Sequence, residues 1–193
     1  MSAGTRQPMV RKTQANGHSI VVEKAFPAPA PLATKTDLTA QEAQAVTEAI
    51  NPLVADLFAL YLKTKNYHWH LAGTHFRDYH LLFDEQADLI FAATDQLAER
   101  VRKVGGTTIR SISHISQLQT IADDNEEFVP AREMASRLMN DNSALARSMR
   151  VAHEICDRCR DYATASILEV LIDEAERRTW FLFEIPQASD TAR

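Results

Sequence analysis

Two pairs of metal-ligating side chains stand out in the middle of the chain because of their spacing. They are His80 with Asp84, and Asp95 with Glu99. Residues 74–104 contain no Gly or Pro, so a single long helix is predicted there. Side chains four residues apart on a helix meet on one turn, so each pair is able to share a metal ion.

The two pairs cannot hold the same ion within one chain. Asp84 and Asp95 are separated by about 16 Å of helix axis, whereas metal–ligand bonds are about 2 Å long. A two-fold axis near Leu89 resolves the conflict, because it lays an antiparallel copy of the same helix against the first. Each His/Asp pair then faces the Asp/Glu pair of the partner subunit, and two identical sites about 20 Å apart are predicted.

A solvated helix face is the alternative interpretation of these carboxylates. Three apolar residues, Ala87, Phe91 and Ala98, are interleaved on the same face and favour a protein interface instead. Asp88 also falls on this face. The spacing leaves open whether it binds the metal, contacts the residues that bind the metal, or does neither. A separate apolar stripe is predicted to face the core of the chain itself. Its members are Phe76, Tyr79, Phe83, Ile90, Leu97, Val101 and Val104.

Four long helices are predicted to position these residues. Only 5 Gly and 7 Pro occur, and long stretches without either nearly exclude a strand-rich fold. The first helix begins at a capping box of Thr39 and Glu42 and runs to about His70. Two more follow Pro130, and a polar middle connection carries a short helix around residues 114–121. The sequence therefore predicts an all-α, ferritin-like four-helix bundle.

The charge distribution divides the chain into three parts: a weakly basic arm at residues 1–37, the bundle at 38–186 and a short polar tail at 187–193. The formal net charge is −5, but the first 38 residues hold five basic and two acidic side chains. An arm of about +3 therefore precedes an acidic body. Arg6, Arg11 and Lys12 are the candidate DNA-binding residues of this arm.

Cys156 and Cys159 are the only two cysteines. Their C-x-x-C spacing falls in a helical stretch without a βαβ pattern, so two reduced, partly buried thiols are predicted rather than a redox motif. A secretory signal and a membrane-spanning run are not expected. A cytoplasmic location follows from these features.

The run from Lys65 to Gly73, followed by Phe76, His80, Asp84-Glu85, Asp95 and Ala98-Glu99-Arg100, resembles the Dps family of mini-ferritins. The resemblance covers about residues 38–184. It implies a ferroxidase centre between two subunits, built from His68, His80, Asp84, Asp95 and Glu99 and holding two iron ions. It also implies that hydrogen peroxide is the preferred oxidant, that ferric oxide is stored in a hollow dodecamer, and that the cell and its DNA are protected from oxidative damage.

Alternatives remain open beside this resemblance. A di-iron site inside the bundle is not expected, because the Glu-x-x-His pairs of other ferritin-like proteins do not occur in this chain. Trp69 is either an interface residue or an electron donor next to His68. The competing function is non-specific DNA binding by the arm, with iron chemistry secondary, since twelve weakly basic arms would add avidity.

Overall fold

The computed structural model describes residues 27–187 of the chain. A short 3₁₀ turn, Ala30–Leu32, precedes five helices: α1 Ala40–His70, α2 Phe76–Lys103, α3 Ile112–Leu118, α4 Ala131–Arg158 and α5 Tyr162–Gln187. No strand occurs in this part of the chain. The four long helices form the bundle, and α3 lies in the connection between α2 and α4. The predicted fold class is confirmed, including the short helix in the middle connection.

The first helix begins and continues as its sequence predicts. The side chain of Thr39 accepts a hydrogen bond from the backbone N–H of Glu42, whose carboxylate accepts one from the backbone N–H of Thr39. Pro52 lies inside the helix, which continues through it to His70. By length and composition alone α1 could span a membrane, contrary to the sequence-based expectation. However, 56% of its most apolar window is buried against the rest of the chain, as in the core helix of a bundle.

The start of α2 and its core stripe differ in detail from the prediction. The helix begins two residues later than expected, because His75 has a positive φ of 62° and turns the chain just before it. Phe83, Ile90, Leu97, Val101 and Val104 are buried as predicted. Phe76, at the frayed start, is exposed, and Ala87, expected on the interface face, is fully buried. The stripe that faces the core is therefore wider than the sequence suggested.

The helices contact one another around a ring, in the order α1, α2, α5 and α4. The connection that carries α3 returns to α1 and is fixed there by the buried Asp56. Its carboxylate accepts hydrogen bonds from the backbone N–H of Thr120 at 2.5 Å and of Ile121 at 2.9 Å. The hydroxyl of Thr120 also donates to this carboxylate, at 2.8 Å. These three donors of an irregular segment would otherwise be costly to bury, so the single carboxylate of Asp56 orders the connection.

Residues 30–34 lie against the C-terminal end of α2. The guanidinium of Arg102 donates a hydrogen bond of 2.6 Å to the carbonyl oxygen of Leu32 and another to the carbonyl oxygen of Gly106. The described part of the predicted arm is thus attached to the bundle at this point. The division at residue 37 stays a prediction, and Arg6, Arg11, Lys12 and the tail after residue 187 lie outside the described residues.

The two cysteines end α4 as free, buried thiols, as predicted. Burial raises the pKa of Cys156 to about 12 and also raises the pKa of Cys159. A thiol must lose its proton to react, so these two are structural groups.

Candidate metal centre

His68 and His80 lie face to face between the end of α1 and the start of α2. Their rings stack with centroids 3.7 Å apart. The Nδ1 of His68 lies 2.8 Å from the carbonyl oxygen of His80, and the Nδ1 of His80 lies 3.1 Å from the carbonyl oxygen of His68. Because a carbonyl only accepts, both Nδ1 atoms carry a proton, and in the neutral imidazole the lone pair is therefore on Nε2. Imidazole in this tautomer is a ready metal ligand.

Asp84 completes the part of the site that one chain provides. Its carboxylate lies one turn after His80 and 3.7 Å from the Nε2 of His68. The ammonium group of Lys65 also contacts this carboxylate, in an ion pair between α1 and α2. The hydrogen bond from Lys65 lowers the pKa of Asp84, and the same bond raises the pKa of Lys65. The Nε2 of His68 and one carboxylate oxygen of Asp84 therefore lie near each other, with the ring of His80 stacked on that of His68 and the ammonium group of Lys65 alongside.

Asp95 and Glu99 lie on the same helix face, further along α2, and both are exposed. The carboxylate of Glu99 forms a surface ion pair of 2.9 Å with Lys103. Asp88 lies between the two pairs and is exposed as well. Among the residues that the structure describes, no three His, Cys, Asp or Glu side chains come together to hold a metal ion within one chain. The five predicted ligands are thus divided into His68, His80 and Asp84 in one group and Asp95 and Glu99 in another.

An apolar surface adjoins this face. Trp69 is 60% exposed, Phe91 is half exposed, and Phe91 packs against Tyr61 with ring centroids 4.9 Å apart. Trp69 also lines a groove of about 730 Å³ between α1 and the α3 connection. Exposed aromatic side chains beside a groove are typical of an interaction surface. The nearby His70 is exposed, with its Nδ1 2.9 Å from the carbonyl oxygen of Asn66, and belongs to neither ligand group.

Lys65 has a role that the sequence reasoning missed. It precedes His68 by three residues, so the two side chains share one face of α1. That spacing was a usable signal, but its meaning depends on Asp84 lying opposite, which is a contact between two helices. The ion pair could be recognised only once the packing of α1 against α2 was known.

The comparisons with known proteins agree with this fold. The family model of the ferritin-like domain matches residues 47–187. The chain is 33% identical over 141 residues to the DNA protection during starvation protein of Brevibacillus brevis, covering 72% of this chain and 93% of that protein. It is 31% identical over 145 residues to DNA protection during starvation protein 1 of Deinococcus radiodurans, covering 75% of this chain and 70% of that protein.

A solved structure gives the same result. The Dps protein from Vibrio cholerae O1 is described as a member of a broad superfamily of ferritin-like diiron-carboxylate proteins. It superposes with a TM-score of 0.74 at 25% identity, covering 79% of this chain and 96% of that chain. Fold and site thus define a ferritin-like protein. Within this class, the chain belongs to the Dps family, whose general functions are iron storage and the protection of DNA.

Proposed function

We propose that this protein is a ferroxidase that oxidises Fe(II), preferably with hydrogen peroxide, at sites between two subunits and stores the ferric product. The observation that carries the proposal is the reciprocal hydrogen bonding of His68 and His80. It leaves both Nε2 atoms free to bind a metal, and that of His68 lies 3.7 Å from the carboxylate of Asp84. Nitrogen and oxygen donors together suit Fe(II), and the carboxylates also stabilise the higher charge of Fe(III).

The second half of each site would come from Asp95 and Glu99 of the partner subunit. In this arrangement two Fe(II) ions each give up one electron to the O–O bond of hydrogen peroxide. With two protons the peroxide becomes two water molecules, so no hydroxyl radical is released. The protein's own contribution is to hold His68, His80 and Asp84 in place before the metal arrives.

Lys65 acts as the counter-ion of Asp84 in the metal-free state. An incoming cation must displace its ammonium group, because both contact the same carboxylate. The exchange replaces one positive charge by another, so the carboxylate keeps a cation beside it throughout. We therefore expect Lys65 to weaken metal binding without preventing it.

The surface proposed for the two-fold dimer is the exposed face of α2, which carries Phe91, together with Trp69 at the end of α1. Six such dimers would form the hollow dodecamer, whose acidic interior attracts Fe(II). In this position Trp69 packs in the interface, although its place next to His68 also allows it to donate an electron. Free, buried thiols support a cytoplasmic location.

The test is the double variant Asp84→Ala, Glu99→Ala, which removes one ligand from each half of the site. Fe(II) oxidation by peroxide, followed by stopped-flow absorbance, should fall to the uncatalysed rate. Assembly should persist, because Glu99 is exposed and Asp84 only half-buried, so neither side chain belongs to the core of the single chain. A matched control is Asp78→Ala, Glu85→Ala, which removes two exposed carboxylates from other faces of α2. Equal rates in the wild type and in the first variant would refute the ferroxidase proposal.

Non-specific DNA binding by the arm is the second candidate function. It is supported by the basic residues before position 38 and by relatives named DNA protection during starvation proteins. The body is acidic, so the arm must supply the attraction to phosphate. Iron oxidation and DNA binding are compatible in one protein, because they involve separate residues.

A further inference from the structure

Arg178, on α5, places a guanidinium group inside the helix bundle. It is only 3% exposed, and its Nε donates a hydrogen bond of 2.7 Å to the side-chain oxygen of Asn142 on α4. Asn142 is fully buried and donates in turn to the carbonyl oxygen of Leu138 at 2.8 Å. Among the described residues, no carboxylate forms an ion pair with Arg178. The terminal nitrogens of this cation form no hydrogen bond within the described part of the chain, and a small part of the side chain remains accessible.

Gln86, on α2, is a second buried polar group, 3% exposed, and neither atom of its amide has a hydrogen-bond partner in the described part of the chain. Contacts between the helices show the position of Gln86 along the axis of the bundle. Lys65 meets Asp84, so Gln86 is level with residue 63 of the antiparallel α1. Lys63 meets Asp141, the neighbour of Asn142, at 2.8 Å. Gln86, Asn142 and Arg178 thus occupy one level of the bundle, which we call the inner polar layer.

The side chain of Gln86 also projects from the side of α2 that faces α5. Arg100 lies 14 residues later, so the two project within about 40° of each other on the helix. Arg100 reaches α5, where it donates a hydrogen bond of 2.7 Å to Asp161 and one of 2.9 Å to Thr164. Gln86 therefore faces α5, the helix that carries Arg178. Donors from α2 and α5 converge on the same part of the interior.

The electrostatics of this layer favour a negative ligand. Burial lowers the pKa of Arg178 to about 10, so the guanidinium remains charged at neutral pH. The carboxylate at this level, Asp141, is already paired with Lys63 on the side of α1. Glu174 lies one turn before Arg178 and forms no ion pair with it, although its negative charge raises the pKa of Arg178. A buried charge without a close counter-ion is destabilising, so the layer favours an additional negative charge.

We propose that the inner polar layer binds one small monovalent anion, of the halide class, between the guanidinium of Arg178 and the amide of Gln86. The anion supplies the missing counter-charge and accepts hydrogen bonds from both side chains. It would be enclosed by α2, α4 and α5, away from the candidate metal centre. The site does not depend on the proposed iron chemistry.

Crystals of the assembled protein grown in sodium bromide test the site directly. Anomalous scattering should show a bromide peak within hydrogen-bond distance of Arg178 in the wild type and in Arg177→Met, which removes an exposed neighbouring charge. Arg178→Met should lack the peak. Replacing a buried charge by an apolar side chain of similar length is neutral or stabilising in many proteins, so this variant should fold. A water in the wild type, or a peak that persists in Arg178→Met, would overturn the proposal.

Thermal unfolding provides the solution test. Above its dissociation constant, each tenfold rise in bromide should raise the Tm of the wild type and of Arg177→Met by about 3–5 °C more than that of Arg178→Met. Gln86→Leu removes one donor and should weaken bromide binding by about tenfold or more. An identical bromide dependence of Tm in all four proteins would contradict a specific anion site.

Discussion

The Lys65–Asp84 contact means that the metal-free site is electrostatically compensated. A carboxylate and two imidazoles without a cation would leave negative charge uncompensated beside the ends of two helices. The ammonium group on α1 provides that compensation and holds Asp84 beside His68. The same contact makes metal binding a competition between two cations for one carboxylate.

Substitution of Lys65 by Met should therefore tighten metal binding. With no ammonium group to displace, the dissociation constant for Co(II), followed by its visible absorbance, should fall by about two- to fivefold, the scale of an exposed ion pair. Arg77→Met is the matched control, because it removes an exposed cation of α2 that does not contact Asp84. Weaker Co(II) binding in Lys65→Met would show that the lysine orients the ligand more than it competes with the metal.

At the level of the helices, local signals in the sequence were sufficient for most of the fold. The capping box at Thr39 and the Gly/Pro-free stretches gave the helices and their approximate ends. The start of α2 was misplaced because the positive φ of His75 is a strained conformation that composition does not report. Ala87 was assigned to the interface because helical spacing gives the direction of a side chain, whereas its burial depends on how closely α1 approaches.

The candidate site was predicted only in part for the same reason. The i, i+4 pairs of α2 follow from the sequence, and the link to His68 came from a resemblance. The stacking of His68 on His80, the ion pair of Lys65 and the inner polar layer are all contacts between different helices. Such contacts depend on the register of one helix against another, which no pattern within a single helix contains.

The close approach of residue 106 to α1 gives a prediction about packing. A Cβ at Gly106 would lie 2.2 Å from the Oγ1 of Thr47 and 2.9 Å from its Cγ2. Gly106→Ala should therefore destabilise the protein by about 1–3 kcal/mol in urea unfolding.

The Thr47→Ala substitution should partly rescue that variant. Thr47 is buried and its hydroxyl has no hydrogen-bond partner in the described part of the chain, so its removal alone should cost little. In the double variant both clashing atoms are gone, and most of the lost stability should return. Additive effects of the two substitutions would mean that Gly106 is required for its backbone conformation and not for space.

At the scale of the whole molecule, the division of the ligands into two groups makes the subunit an incomplete unit. His68, His80 and Asp84 are neighbours between the end of α1 and the first turns of α2, whereas Asp95 and Glu99 lie about three turns further along α2. A site that needs both groups can form only when two chains meet. In the proposed arrangement, iron chemistry and assembly are therefore coupled.

Complementation between two inactive variants measures this coupling. One carries His80→Ala with Asp84→Ala, and the other Asp95→Ala with Glu99→Ala. After unfolding and refolding of an equal mixture, half of the dimers are mixed and each has one intact site, so about a quarter of the wild-type rate should return. The separately refolded variants serve as controls. Activity that does not rise on mixing would place all ligands within one chain.

DNA binding, if present, should reside in the arm and depend steeply on salt. A form that begins at Thr36 should no longer retard DNA in gels, because the remaining body repels phosphate. The full chain should bind DNA at low salt and without sequence preference. A plot of the logarithm of its binding constant against the logarithm of salt concentration should have a slope of about −0.9 for each phosphate neutralised. Equal retardation by both forms would show that the arm is not the DNA-binding element.

The position of α1 in the ring of helices has a consequence for biosynthesis. Among the described helices it alone contains a stretch long and apolar enough to span a membrane, and α4, one of its two main neighbours, begins 61 residues after α1 ends. At about 5–20 residues per second, a ribosome needs roughly 3–12 s to make that intervening length. During this time α1 has only α2 and the α3 connection to cover it. The nascent chain is then at its most aggregation-prone, and early pairing of α1 with α2 limits the exposure.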